Sequence, residues 1–174
     1  MTNRTPPLLP EETLRRVLRV ANFDGMSVLA VAGILALASA SVGDFYGAAV
    51  GLLVAAAGAI ELHGAGLLQA KESRGMNWLL ASQPYLLAIV VGYCAVRLTN
   101  YDPTLLRRAM TDETRASLAE AGFSEEQFLR LANTLTFAVL AAVTLVYQGG
   151  MVIYYLRRRR AVFTATEGNS DDGK

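Results

Sequence analysis

Histidine and cysteine are almost missing from this chain: His63 and Cys94 are its only representatives in 174 residues. One cysteine makes no intrachain disulfide. One histidine and one cysteine are too few for a structural zinc site, or for haem held by two histidines of the same chain. Proline is sparse as well, at five residues. Pro6, Pro7 and Pro10 sit at the start, so helix is opposed only at Pro84 and Pro103. Charge of either sign is scarce: 16 Lys and Arg against 15 Asp and Glu leave a net +1, and nothing in that balance points to nucleic acid. There is no HExxH, GxSxG, P-loop or CxxC. An enzyme is therefore the less favoured class, and neither a cofactor nor a metal is expected.

Apolar residues are what the chain has in quantity, 53% of it, with a mean hydropathy of +0.33. They fall in four blocks, Gly25–Val42, Phe45–Leu68, Trp78–Leu98 and Leu131–Leu156. A hydrocarbon core of about 30 Å takes roughly 20 helical residues to cross. Inside lipid a backbone satisfies its own hydrogen bonds only as helix or closed barrel, and runs of this length read as helices. The expectation is an all-α integral membrane protein, with four transmembrane helices in an antiparallel bundle. Residues 1–160 form a single four-span domain, and 161–174 a disordered cytoplasmic tail.

Before the first span, EETLRRVLRVA reads as an amphipathic helix from Pro10, with Leu14, Val17, Leu18 and Ala21 on one face. Its Arg15, Arg16 and Arg19 suit lipid headgroups. Ala38-Ser39-Ala40 has the small-x-small form of a peptidase site, but the region ahead of it is too long for a signal peptide, and retention is expected. Only Gly43-Asp44 joins the first two spans, which forces an antiparallel hairpin. Gly43, Gly47, Gly51 and Gly58 recur at helical spacing on the second span. Helices in lipid associate through close backbone packing, so these glycines are the expected contact face.

Ionisable residues at membrane depth are expensive and mark sites by default. Glu61 falls on the glycine face of its span, whereas His63 projects to nearly the opposite side, so a local dyad would need a helix break at Gly64-Ala65-Gly66. Ser82, Gln83 and Tyr85 flank Pro84 in the third span and are expected to repair the carbonyl that the proline leaves free. In the fourth span Asn133, Thr136, Phe137, Thr144, Tyr147, Gln148, Met151, Tyr154 and Tyr155 cluster on one third of the helical wheel. The expected intramembrane polar cluster is therefore drawn from Glu61, His63, Ser82, Gln83, Tyr85, Asn133, Thr144, Tyr147 and Gln148.

Residues 99–130 are the one sizeable extramembrane stretch. Two short helices are expected there, Pro103–Met110 and Asp112–Ala121, followed by a capping box at Ser124–Gln127. Arg157, Arg158, Arg159 and Arg160 close the fourth span as headgroup ligands. Basic residues concentrate near residues 4–19, 71–74 and 157–160, which places both termini in the cytoplasm of a multi-pass inner-membrane protein.

Three classes of function remain. The favoured one is a homo-oligomeric helical assembly acting as an ion- or proton-conducting channel in contact with membrane lipids. The first alternative is a structural or accessory protein that binds a protein partner. The second is an intramembrane enzyme or lipid-handling protein.

Overall fold

The computed structural model describes residues 9–167, the side chains of Leu105, Leu106, Ala109 and Glu167 excepted. Six helices follow one another: α1 (Pro10–Ser41), α2 (Phe45–Gln69), α3 (Gly75–Thr99), α4 (Thr104–Ala109), α5 (Asp112–Glu120) and α6 (Glu125–Glu167). α1, α2, α3 and α6 are long and apolar enough to cross a membrane. Their large apolar side chains, Ile34, Leu37, Phe45, Leu52, Val143 and Val146 among them, point outward. In water so much exposed apolar surface would be a liability. In a bilayer it is the ordinary contact with acyl chains, and this chain is a polytopic membrane protein.

Two boundaries differ from the sequence expectation. The amphipathic segment and the first span are one helix, α1, because nothing in Asn22-Phe23-Asp24-Gly25 breaks it. At 32 residues it is about 48 Å long, so a bilayer covers only part of it and the arginine-bearing turns extend beyond. At the other end α6 runs on through Arg157–Arg160 to Glu167. Arginine is a good helix former, and the end of an apolar stretch is no reason for a helix to stop. Residues 168–174 of the expected tail lie outside the described residues. The capping box does open α6: the Ser124 hydroxyl accepts from the Gln127 amide (3.3 Å) and the Gln127 side chain accepts from the Ser124 amide (3.2 Å).

The chain divides into two compact units. One comprises the residues up to Ile89 and those from Tyr147 on. Its core is Val17, Ala21, Ala65, Leu68, Met76, Leu79, Met151, Tyr155 and Val162, drawn from all four long helices. Here α1 and α2 form the antiparallel hairpin. Gly43 makes its turn at φ 80°, and Asp44 caps α2 by accepting from the Gly47 amide at 2.9 Å. The two helices touch most closely at Gly58, where a Cβ would meet the Gly25 carbonyl at 2.6 Å and the Leu29 amide at 2.8 Å. Gly51 lies against Ala36, and Gly47 beside Asp44 and Ser39. Gly43 belongs to the turn and not to the contact face, since nothing approaches a Cβ placed there. The glycine face of α2 is thus occupied within the chain.

The other unit is Val90–Val146. Tyr93 of α3 meets Phe137 of α6 edge to face at 5.7 Å, and Arg97 donates to the Tyr93 hydroxyl at 3.1 Å. Between them the chain forms α4 and α5. Thr111 caps α5, and Gly122, at φ 75°, ends it in the left-handed conformation that glycine adopts without strain.

Candidate functional site

Glu61 sits on the third-from-last turn of α2 and is 2% exposed. It got there by helical phase: residues 54, 58, 61 and 65 share one stripe, and Gly58 on that stripe is pressed against α1. Its Oε1 accepts a hydrogen bond of 2.5 Å from the hydroxyl of Tyr155, which is wholly buried. The other polar groups acting on Glu61 are the Asp24 carboxylate of α1 and the Gln83 amide of α3.

Asp24 is itself only 6% exposed. The Tyr147 hydroxyl donates to its Oδ1 at 2.7 Å, from a ring whose body lies half outside the bundle. Tyr147 and Tyr155 are eight residues apart on α6, and each donates a hydrogen bond to a carboxylate on a different helix. Three further oxygens in this unit are buried without a hydrogen-bond partner among the described residues: Asp24 Oδ2, Gln83 Oε1 and Gln148 Oε1. All three are acceptors. Gln148 directly follows Tyr147 and stands two turns from Tyr155, on its face of α6.

The site is electrostatically unusual for that reason. Two carboxylates face each other where the dielectric is low, and their partners are neutral hydroxyls rather than cations. Taking each ion out of water costs several kcal/mol, and like charges so close repel unless a proton or a cation offsets them. Among the described residues, no arginine, lysine or histidine is a main group acting on Glu61.

The remaining sequence candidates have other places. His63 is exposed and stacks edge to face on Trp78 at 5.3 Å, away from Glu61. α2 is unbroken through Gly64-Ala65-Gly66, so the two residues stay on opposite sides. Ser82 is buried, but its hydroxyl folds back onto the Leu79 carbonyl at 3.0 Å, not onto that of Leu80, which Pro84 deprives of its partner. The Gln83 amide nitrogen in turn donates to the Ser82 hydroxyl at 3.3 Å. Tyr85 is half-buried. Thr144 donates to the Leu140 carbonyl of its own helix (2.7 Å), and Asn133 reaches the Arg97 carbonyl at 3.5 Å within the Val90–Val146 unit. The nine candidates therefore do not form one cluster. Arg15, Arg16, Arg19, Arg157 and Arg160 are exposed. Arg158 lies over the Tyr154 ring at 4.3 Å, and Arg159 donates to Asn77 at 3.4 Å.

Sequence reading missed Asp24, because the apolar window was opened one residue later, at Gly25. A signal was available: Val17, Ala21, Asp24, Gly25, Ala32 and Ala36 make one buried stripe once α1 is taken as continuous. Tyr155 was assigned to the polar stripe but not to the cluster. Among the described residues no group of three or more His, Cys, Asp and Glu could hold a metal ion. No protein-family model matches this chain, and no curated protein or solved structure is significantly similar to it.

Proposed function

We propose that this protein conducts protons or small cations across the cytoplasmic membrane as a homo-oligomer, with Asp24 and Glu61 as the ion-handling groups. The observation that carries the reading is the pair of buried carboxylates on α1 and α2, held by tyrosine hydroxyls and without a basic partner among the described residues. A structural role would be served as well by an apolar core, because replacing buried polar groups with well-packed hydrophobes is often neutral or stabilising. Acids kept inside a membrane bundle without counter-charge are suited to handing on a proton or cation, since their charge must be balanced by something that comes and goes. The basic residues near the ends of α1 and α6 favour an orientation with both termini in the cytoplasm and the α4–α5 segment outside.

The test is flux in proteoliposomes carrying a pH-sensitive dye. Wild-type protein is expected to dissipate an imposed gradient, and Glu61→Gln and Asp24→Asn to slow it by about tenfold or more. Light scattering in detergent is expected to give a closed oligomer. A monomer that leaves the gradient intact would refute the proposal.

A further inference from the structure

We infer that the Asp24–Glu61 site binds a small monovalent cation of the sodium class, in competition with a proton. This rests on the conducting reading only for its purpose; binding is tested separately from flux. The argument begins with the donor set. Asp24 Oδ2, Gln83 Oε1 and Gln148 Oε1 are buried acceptors with no donor among the described residues, on side chains 6%, 1% and 4% exposed. The Gln83 side chain acts on Glu61 as a hydrogen-bond donor, and Asp24 acts on it as a second acid. An unpaired buried polar atom costs about 1–3 kcal/mol, and here the liability repeats on α1, α3 and α6 with a single chemistry, oxygen seeking a positive partner.

Oxygen-only donors select hard cations; thiolate and imidazole, which favour transition metals, are missing from the site. The tyrosines then decide the charge. Tyr147 occupies one oxygen of Asp24 and Tyr155 one oxygen of Glu61. That leaves Asp24 Oδ2, Gln83 Oε1 and Gln148 Oε1 without a donor among the described residues, in addition to the Glu61 carboxylate. Calcium takes six to eight oxygens, often with carboxylates bidentate, and magnesium keeps several waters in a strict octahedron. A site limited to about four protein oxygens in a dry bundle suits neither. It suits one sodium ion with the second acid protonated, or two protons and no metal.

Protons and sodium therefore exclude each other at this pair. The titratable groups facing it are Asp24 on α1, Glu61 on α2, and Tyr147 and Tyr155 on α6, with Tyr154 edge-on to Tyr155. α3 contributes only uncharged Ser82 and Gln83 there, since residues 75–89 contain no charged residue.

The experiment is thermal unfolding of the purified full chain in detergent, at constant ionic strength, with sodium chloride exchanged against N-methylglucamine, potassium, calcium or magnesium chloride. A ligand of the native state raises Tm as its concentration passes Kd. Sodium is expected to raise Tm by about 3–8 °C at pH 8 and by much less at pH 5.5. Asp24→Asn and Glu61→Gln should abolish the rise. Gln148→Leu, which removes one neutral ligand and keeps the acids, should raise the half-saturating sodium concentration about fivefold or more and keeps the test open if the acid variants fail to fold. Equal Tm in sodium and N-methylglucamine, protection by calcium or magnesium alone, or a sodium effect untouched by Gln148→Leu would each overturn the inference. Sodium protection without flux would sink the conducting reading and leave this site standing. Proton flux indifferent to sodium, in protein that sodium does not stabilise, would do the reverse.

Discussion

In the unit built from the residues up to Ile89 and from Tyr147 on, the acids Asp24 and Glu61 are buried and their hydrogen bonds come from tyrosine. In Val90–Val146, three of the six acids, Asp112, Glu125 and Glu126, are exposed or half-exposed and stand opposite arginines. Arg107 holds Glu125 at 3.1 Å and Glu126 at 3.3 Å; Arg115 holds Asp112 at 3.0 Å; Arg130 holds Glu126 at 3.1 Å. The acidic residue types are the same and the consequences opposite. Exposed pairs are screened by water and salt, contribute little, and complete their own charge balance. Among the described residues the buried acids have no cationic partner, so they stay comfortable only when a proton or a bound cation neutralises them. Charge was placed where it is cheap in one unit and retained where it is costly in the other, and the costly placement is the one that calls for a function.

The largest effect should come from closing the gap that buries the acids. Gly58→Leu sets a side chain against the Gly25 carbonyl and the Leu29 amide, and backbone cannot yield as a flexible side chain does. Over-packing of this kind costs about 1–3 kcal/mol in an ordinary core and more against backbone. A fall in Tm of many degrees, or no recoverable folded protein, is expected in detergent. Unchanged Tm would show that α1 and α2 are not in contact there.

Next is Tyr155→Phe, which leaves Glu61 Oε1 without its donor. A buried acceptor left bare costs about 1–3 kcal/mol, and more when charged. In a double-mutant cycle with Glu61→Gln, the two substitutions should couple by about 1 kcal/mol or more. Additive effects on chemical or thermal unfolding would dissolve the pair. Tyr147→Phe repeats the experiment with a ring half in lipid, and about 1 kcal/mol is expected.

Arg115→Ala probes the other unit. It breaks exposed pairs with Asp112 and Glu125, and exposed pairs are worth about 0–1 kcal/mol. Tm should move by a degree or two at low salt and not at all at high salt. A loss as large as that of Tyr155→Phe would erase the distinction between the units.

Smallest is a pH effect just after α3. Hydrogen bonds from the Thr104 hydroxyl and amide hold the Asp102 carboxyl below its ordinary 3.8. A carboxyl depressed in the folded state adds stability above its unfolded pKa and loses it as pH falls through the folded value. The start of α4 should therefore loosen only below pH 3.8, read as faster exchange of the Thr104 amide. In Asp102→Asn that acid-dependent step should vanish.

Much of this is legible in the sequence. Apolar runs of span length, the two-residue link at Gly43-Asp44 and the capping box at Ser124–Gln127 are local signals, set by chemistry within a few turns. Glu61's inward phase follows from the spacing of Gly51 and Gly58. What the residues alone could not rank was which polar groups meet. Ser82 and Thr144 look like members of a shared network, yet each is satisfied by a carbonyl of its own helix. Asn133 has its partner in the other unit from Glu61.

By itself, then, the sequence determined that four helices cross a membrane and that one acid rides on a packed face, because length, hydropathy and helical period are properties of each segment taken alone. Tertiary structure decided that Asp24 joins Glu61, that Tyr147 and Tyr155 reach across to them, and that His63 stays away. Those outcomes depend on how far each helix is rotated and slid against the next, and that is set by close contacts such as Gly58 against Gly25, between residues distant in the chain.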